Sequence, residues 1–533
     1  MKFHWLRLLG LGLALWLGMG AAHALTPADA LALVAGETDD RITTLNRLAS
    51  GSDDKAAALI QAMADERVRV VGERVLMVQG ESAVDAVTGE ALASVPEEAE
   101  DVMVNNRLRS AMETALAGMQ LFGAPPERQR EAAQSLQRNA FDEPDASQLP
   151  LINKALAGEL DAQARQTLEL ARAAVRLASE DEAQRLAAAE KLGEARQAIV
   201  RPLLLQRLET EERAPVQAAL KASLAALDRS LAISSALGQA FTGLSLGSIL
   251  LLAALGLAIT YGLMGVINMA HGELIMIGAY ATWLVQSFFR EALPQWFDWY
   301  LLVAMPLAFI ASALVGAAME RTVIRFLYGR PLETLLATWG ISLVLMQGVR
   351  SLFGAQNVGV ENPGWMSGGV TLMGNLSLPW NRIIIIGFAV AVLVGVTLLI
   401  GKTRLGLFVR GVTQNRPIAS CMGVNTARID TYAFALGSGI AGLAGCALSQ
   451  IGNVGPDLGQ NYIVDSFMVV VLGGVGQIAG TVYAALGLGV LNKLLEGWAG
   501  AVLAKIAVLV FIIVFIQKRP QGIFAMKGRS AEA

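Results

Sequence analysis

Long apolar segments fill the second half of this chain and restrict its fold more than any other feature. A helix needs about 20 apolar residues to cross the hydrocarbon of a bilayer. Inside lipid every backbone N–H and C=O must be bonded within the protein, which helices achieve. The nine candidate spans are 237–259, 264–288, 300–318, 334–353, 383–400, 432–451, 464–472, 479–494 and 499–516. The sequence therefore predicts an all-α, polytopic membrane domain of about eight to nine spans within residues 236–517.

The seventh candidate, 464–472, is short and runs directly into a cluster of glycines at Gly473, Gly474 and Gly476. Small residues permit close helix contacts, and irregular backbone at membrane depth is tolerated where it is buried or lines a cavity. We expect these glycines to form either a helix kink or a close-packing site. A half-helix or re-entrant segment is the alternative to a full crossing here.

Residues 25–235 have the opposite character. They hold 23 Lys and Arg against 34 Asp and Glu, a net charge of −11, whereas residues 236–533 hold 17 against 11, a net of +6. They are rich in strong helix formers, with breaks at 123–126, at 143–145 and at Pro202. The sequence predicts a separate α-helical domain with a small β element near 68–78. A stack of helical repeats is one arrangement that the breaks suggest.

Residues 1–24 have the pattern of a secretory signal peptide. Lys2 and Arg7 supply the positive start, an apolar run follows, and Ala22-His23-Ala24 is a cleavage pattern. An uncleaved first membrane helix is the alternative. In either case residues 25–235 are expected to be exported, which in a bacterium means the periplasm.

Basic residues give the membrane domain an expected orientation. They concentrate at Arg321–Arg330, in the segment 402–428, and in the tail 518–533, while the intervening loops 354–380 and 453–463 carry one charge each. The positive-inside rule places the basic segments, including the tail, in the cytoplasm. An exported N-terminal domain and a cytoplasmic tail require an odd number of crossings, and nine satisfies that condition.

Several polar side chains interrupt the apolar segments. Asn268, His271 and Glu273 lie within one apolar run, where uncompensated polar groups are costly in lipid, so they should face the bundle interior or a polar cavity. Two roles fit this pattern: a structural cluster of hydrogen bonds that breaks a helix and fixes its packing, and direct contact with the solute. The full set of candidate translocation-path residues is Asn268, His271, Glu273, Gln450, Asn453, Asp465 and Gln477.

The basic segment 402–430 contains a second candidate site. Asn415 stands before Pro417, and Gly423 follows, which predicts a short helix capped at both ends. Such a helix between two spans suits a contact with a soluble motor, and a surface loop that only sets topology is the alternative. The candidate residues for this contact are Arg416, Pro417, Ala419 and Gly423. The sequence contains no nucleotide-binding loop and no metal-ligand spacing, so we expect no enzyme activity and no cofactor.

Five motifs in these regions together resemble the branched-chain amino acid type of ABC importer permease, the LivH/LivM group. They are Ile267-Asn268-Met269-Ala270-His271-Gly272-Glu273, Thr403-Arg404-Leu405-Gly406, Met422-Gly423-Val424-Asn425, Val471-Leu472-Gly473-Gly474-Val475-Gly476 and Arg519-Pro520-Gln521-Gly522-Ile523-Phe524. The resemblance covers 237–526. It implies an inner-membrane permease that works with a second LivM-like permease, two ATPase subunits and a periplasmic substrate-binding protein, and that contacts membrane lipid but no nucleic acid.

The exported domain, including Val104-Asn105-Asn106-Arg107-Leu108-Arg109, resembles that of the urea-transporting branch of this family, which implies urea as the solute. A branched-chain amino acid or a short-chain amide is the alternative solute. A stand-alone urea channel or a membrane sensor is the alternative of a different class. One departure affects the motor contact: ABC importer permeases often carry Glu-Ala-Ala before the glycine of the coupling helix, and this chain has Pro417-Ile418-Ala419.

Overall fold

A computed structural model describes residues 25–524, apart from 50–52, 81, 97, 120, 122–123 and 374–375. The signal-peptide prediction at 1–24 and the end of the tail, 525–533, fall outside the described residues. The chain divides into two compact units, one ending at Leu231 and the other beginning at Ala232. Each unit is described by itself.

The first unit is mainly helical. Its helices are α1 (Pro27–Val34), α2 (Thr38–Ala49), α3 (Asp54–Ala64), α4 (Asn106–Met119), α5 (Pro126–Asp142), α6 (Leu149–Ala157), α7 (Ala162–Leu177), α8 (Glu182–Glu194) and α9 (Val200–Thr210). Carboxylates cap several of them: Asp53, Asp161 and Asp181 each accept a backbone N–H of the first helical turn. Pro202 lies in the first turn of α9 and does not end a helix there, because that turn needs no N–H donor. The repeat-like arrangement stays a prediction.

A small antiparallel sheet interrupts these helices. Its strands are β1 (Val68–Val71), β2 (Arg74–Gln79), β3 (Ser82–Asp85), β4 (Ala91–Leu92) and β5 (Glu100–Asp101), in the order β4-β3-β2-β1-β5. Val68 pairs with Met77 and Val71 with Arg74, so β1 and β2 form a hairpin. The β element expected near 68–78 is therefore confirmed, and the other three strands extend it.

A buried ion pair joins α8 to the end of α9. The Arg185 guanidinium donates to both carboxylate oxygens of Glu211, at 2.8 and 3.2 Å, and Arg207 donates to the same carboxylate. The side chains of Arg185 and Glu211 are 8% and 2% exposed. Burial raises the pKa of Glu211, but hydrogen bonds from Arg185, the Arg213 amide and Arg207 outweigh it and lower that pKa from 4.5 to about 2.

We expect Arg185→Ala to lower the local stability of α8 and α9 by about 3–5 kcal/mol, because it leaves a buried carboxylate without its main partner. The control is Arg201→Ala, since the Arg201–Asp228 pair is about half exposed and should contribute at most about 1 kcal/mol. Hydrogen exchange of α8 and α9 amides in the full chain measures both. Because the pKa of Glu211 is depressed, the wild-type stabilisation is complete above pH 4.5 and is lost as pH falls towards 2. Equal effects of the two substitutions would contradict this expectation.

The second unit is a helical bundle. It contains the latter part of α10 (Ala214–Met264), then α11 (His271–Ala292), α12 (Tyr300–Thr322), α13 (Pro331–Phe353), α14 (Trp380–Lys402), α15 (Arg404–Gln414), α16 (Arg416–Cys421), α17 (Thr426–Ser449), α18 (Leu458–Gly473), α19 (Ile478–Ala499) and α20 (Ala501–Lys518). Within the described residues, seven helices are long and apolar enough to cross a membrane, and α18 is a shorter apolar helix. The predicted all-α, polytopic class is confirmed.

Each of the nine predicted membrane segments overlaps one of these helices, but the start of segment 264–288 was wrong, because a non-helical break at 265–270 precedes α11. The two that do not reach the length and apolarity of a span are informative. The 22-residue α11 begins with His271 and Glu273, which reduce its apolarity. The 16-residue α18 rises about 24 Å, less than the roughly 30 Å of a hydrocarbon core. It ends at Gly473. Its short length favours the alternative of a half-helix or re-entrant segment over a full crossing.

Glycine contacts bring α17 close to three neighbouring helices. A Cβ on Gly256 of α10 would meet the Gly437 carbonyl, and one on Gly278 of α11 would meet the backbone of Gly442. A Cβ on Gly442 would meet the Ala308 carbonyl of α12 at 2.5 Å. Such close backbone approach is the usual means of packing helices in lipid, where no hydrophobic effect drives association. The α17 helix is therefore the central element of the bundle.

The loop between α13 and α14 contains a hairpin that the sequence did not indicate. Its strands are β6 (Gly369–Met373) and β7 (Leu376–Pro379), paired antiparallel. Ahead of it, Val358 exchanges two backbone hydrogen bonds of 2.8 Å with Val454 in the loop between α17 and α18. The loop between α13 and α14 is thus joined to the loop between α17 and α18.

Candidate functional site

The polar run between α10 and α11 forms a sharp helix break. Gly265, with φ +68°, ends the long helix, and Asn268 accepts the Ala270 N–H at 3.0 Å just before α11 begins. The Met269 N–H donates to Thr338 of α13 at 3.1 Å. The break is therefore held by hydrogen bonds on two sides, as an irregular segment within a membrane bundle requires.

His271 and Glu273 lie in the first turn of α11, directly after this break, and are buried. The Nε2 atom of His271 lies 2.9 Å from the Ala253 carbonyl of α10. Three buried atoms of this polar run have no hydrogen-bond partner among the described residues: Asn268 Nδ2, His271 Nδ1 and one carboxylate oxygen of Glu273. None of these three residues lines the polar cleft described next. The contacts of His271 with the Ala253 carbonyl and of Asn268 with the Ala270 N–H fit the structural alternative, and solute contact stays a prediction.

A polar cleft of about 440 Å³ lies among α17, α18, α19 and α20. It brings together two of the predicted path residues, Asn453 and Asp465, whereas Gln450 and Gln477 are not part of it. Four charged residues of its lining form two ion pairs. Asp465 pairs with Lys505 at 3.7 Å, and Lys493 pairs with Glu496 at 2.6 Å. Neutral groups complete the lining, mainly Asn461, Tyr462, Asn492, Leu246, Leu448, Ile451, Gly452 and Leu458. The cleft can thus offer amide donors and acceptors, paired charges and an apolar wall to a small solute.

Gln450 belongs to a separate hydrogen-bond network next to the cleft. The Tyr300 hydroxyl lies 3.2 Å from its side-chain oxygen and 2.8 Å from the Glu361 carbonyl, and these two acceptors share the single hydroxyl proton. The Asn381 amide donates to the Gln450 carbonyl at 3.4 Å. This network ties the last residues of α17 to the loop before α14, so Gln450 holds the segment that continues to Asn453.

The glycine cluster that precedes Gln477 contacts the C-terminal segment at 522–524. Gly474 has φ +99° and Gly476 φ +79°, conformations that favour glycine. Close backbone contacts pair Gly473 with Gly480 and Gly476 with Gly262 of α10. The Ile523 N–H donates to the Leu472 carbonyl at 2.8 Å. Both expected features, a non-helical kink and close packing, are present in the geometry, and Gln477 lies half-buried just before α19.

The segment between α14 and α17 contains the predicted short helix. Asn415 caps α16 by accepting the Ile418 N–H at 3.0 Å, Pro417 lies in its first turn, and Gly423 follows with φ +83°. Ala419 is buried, whereas Ile418 and Met422 are 60% and 80% exposed. The helix therefore presents an apolar surface that nothing within the described residues covers. Arg416 instead turns inward, to Asp430.

Several cleft residues were not selected from the sequence. Lys493, Glu496 and Lys505 are ionisable residues within or beside apolar segments, which is a usable signal because such residues are rare and commonly functional in membranes. Asn461 and Asn492 carry no such signal, because nothing in a single sequence shows that α18 and α19 face the same cleft. Tyr300 lies outside the cleft, but its buried hydroxyl is hydrogen-bonded to Gln450, and it too was missed from the sequence.

Residues 239–517 match the family described as "Branched-chain amino acid transport system / permease component". The high-affinity branched-chain amino acid transport system permease protein BraD of Pseudomonas aeruginosa is 28% identical over 54% of this chain and 95% of its own length. The corresponding LivH of Salmonella typhimurium is 28% identical over 54% of this chain and 94% of its own length. A probable LivH from Methanocaldococcus jannaschii is 25% identical over 52% and 88%. No solved structure matches the chain at a significant level.

Proposed function

The chain belongs to the branched-chain amino acid transport system permease-component family, and we propose on that premise that it is a transmembrane subunit of an ATP-driven importer in the inner membrane. A second LivM-like permease would complete the translocation path. Separate ATPase subunits would hydrolyse ATP, and a periplasmic substrate-binding protein would deliver the solute. In this proposal the basic segments and the tail face the cytoplasm, and residues 25–235 face the periplasm.

The observation that carries this proposal is α16. A six-residue helix, capped at both ends, lies between two long apolar helices and exposes Ile418 and Met422. These apolar side chains and the exposed basic residues Arg404, Arg410 and Arg428 of the same segment would offer a docking surface to a soluble partner. A channel has no use for such a helix, whereas an importer driven by soluble ATPases needs one. The missing glutamate of the Glu-Ala-Ala pattern means that no salt bridge to the ATPase is assigned at Pro417.

The mechanism follows as alternating access. A loaded binding protein docks on the periplasmic face, ATP closes the motor subunits, and α16 carries the motion into the bundle. The polar cleft at Asn453 and Asp465 supplies the part of the path that this subunit contributes. Each polar group of the cleft would contribute little binding free energy, so the cleft would release the solute readily. The binding protein would provide most of the affinity.

Urea is the solute that we propose, because the exported domain resembles that of urea-transporting permeases of the UrtB type. The cleft supports a small neutral amide, since Asn453, Asn461 and Asn492 offer both donors and acceptors and the four charges are paired with one another. The names of the relatives favour a second candidate, a branched-chain amino acid, whose apolar side chain would fit against Leu246, Leu448, Ile451 and Leu458.

Asp465→Asn combined with Lys505→Met should distinguish the two solutes. The double change removes one ion pair without leaving either charge unpartnered, so neutral urea should be taken up with a KM changed less than about threefold. A zwitterionic amino acid that used these charges would lose about 1.5–3 kcal/mol, or roughly 10- to 100-fold in KM. Uptake kinetics in proteoliposomes that contain the whole complex measure both. The control, Asn492→Ala, should raise the KM for either solute.

Deleting this subunit tests the proposal in cells. We expect ATP-dependent, high-affinity urea uptake to disappear and to return when the chain is expressed again. Uptake that survives the deletion would contradict the proposal. A second deletion, of residues 25–235 with the signal retained, tests whether the exported domain receives the binding protein; unchanged uptake at low urea would assign it to assembly or regulation.

A further inference from the structure

A closed ring of polar contacts connects α16 to the bundle. The Arg416 guanidinium pairs with Asp430 in the first turns of α17 and also lies over the Tyr328 ring, 4.8 Å from its centroid. The Tyr328 hydroxyl donates to Glu320 near the end of α12 at 3.1 Å. The other Glu320 oxygen accepts from the Thr431 hydroxyl at 2.6 Å, and Thr431 is the chain neighbour of Asp430.

Four members of the ring are buried or half-buried, whereas the Arg416 side chain is 43% exposed. Glu320, Asp430 and Thr431 are 1%, 4% and 6% exposed, and Tyr328 is half-buried. Each carboxylate has its own donors, hydroxyls for Glu320 and the guanidinium for Asp430. Because a buried carboxylate that loses its donor is strongly disfavoured, the ring resists opening and its members should move together.

The α17 helix connects this ring to the polar cleft. Between Asp430 in its second turn and Ser449 at its end the helix rises about 29 Å, and the chain then continues to Gly452 and Asn453. Close contacts at Gly437, Gly442 and Gly445 leave little room for α17 to bend, so a displacement at one end reaches the other as a rigid-body shift. The same glycine contacts oblige α10, α11 and α12 to accommodate that shift.

We propose that the ring of Arg416, Asp430, Thr431, Glu320 and Tyr328 transmits displacement of α16 to α17 and thereby changes access to the polar cleft. The inference rests on the proposed contact between α16 and ATPase subunits. It assigns positioning roles to Glu320, Tyr328 and Thr431, none of which touches the cleft or the exposed surface of α16. It also explains why Arg416 points inward: it connects α16 to the bundle and leaves ATPase docking to Ile418 and Met422.

A cysteine reporter in the cleft gives the test. Gly452→Cys is suitable because a Cβ there meets nothing within 4 Å, and Cys421→Ser removes the exposed native thiol while Cys446 is buried. The rate of labelling by a membrane-impermeant maleimide is measured with and without ATP in the complete complex. Tyr328→Phe keeps the aromatic face under Arg416 but removes the hydroxyl, so it opens the ring while Glu320 retains the Thr431 hydroxyl as a donor. Arg416→Ala opens it more completely.

We expect both substitutions to reduce the ATP-dependent change in labelling, by about 2-fold to 30-fold, with the ATPase subunits still bound. Tyr432→Phe, an exposed neighbour outside the ring, should leave the change intact. An undiminished ATP response in the ring variants would overturn the inference alone, and so would loss of the ATPase subunits, because the ring would then only support docking. Absence of any ATP response in the reporter with an intact ring would overturn the proposed coupling function as well.

Discussion

Replacing Gly423 by proline is expected to abolish ATP-driven uptake and the capture of ATPase subunits. Gly423 has φ +83°, and its N–H donates to the Ser420 carbonyl at 3.0 Å. Proline is fixed near φ −65° and has no N–H, so the end of α16 cannot form as it does here. The exposed Ile418 and Met422 would lose their common orientation. Pull-down of ATPase subunits by the purified chain measures the loss directly.

The matched pair Gly423→Ala and Gly500→Ala separates strain from location. Both glycines have φ near +82°, both follow a helix, and a Cβ meets nothing within 4 Å at either position. Each alanine should therefore cost a similar amount, about 1 kcal/mol. Only the substitution at Gly423 should weaken ATPase capture. Capture that survives Gly423→Pro, or that falls equally with Gly500→Ala, would exclude α16 as the motor contact.

Gly445→Val is expected to cause the largest loss of stability in the bundle. A Cβ at this position of α17 would overlap the Ile275 carbonyl of α11 and would lie 2.8 Å from the Ala279 nitrogen. Backbone atoms cannot move aside as a flexible side chain can, so the two helices must separate. We expect a cost of at least about 3 kcal/mol, which lowers the melting temperature by roughly 6–12 °C.

The control for this substitution is Gly487→Val on α19, where a Cβ meets nothing within 4 Å. The two changes share the same side chains and the same helical backbone, and differ only in what the new atoms meet. The temperature at which half of the detergent-solubilised chain stays monodisperse measures both. Similar melting temperatures for the two variants would show that α11 and α17 are not packed as described.

The membrane helices were predictable from the sequence because lipid imposes both their length and their composition. The short helix α16 was predictable as well, since Asn415, Pro417 and Gly423 each act on the local backbone. The hairpin β6–β7 was not, because its strands Gly369–Met373 and Leu376–Pro379 are short and their register is irregular between Thr371 and Met373.

The candidate path could be predicted only in part. Asp465 and Asn453 attract attention as polar residues in apolar surroundings, but Asn461 and Asn492 reach the same cleft through packing of α18 against α19. Likewise, Glu320 and Asp430 are 110 residues apart, and only the glycine contacts of α12 with α17 bring them into one ring. Side-chain chemistry is visible in a single sequence, whereas the meeting of distant helices is a tertiary property.

Reconstitution of the complete complex in proteoliposomes tests the central claim most directly. The complex would contain this chain, the second permease, the ATPase subunits and the binding protein, with labelled urea outside and ATP enclosed. We predict urea accumulation that requires ATP, the ATPase subunits and the binding protein, and that Gly423→Pro abolishes. Equal urea entry without ATP or without the ATPase subunits would contradict an importer and would indicate a stand-alone channel.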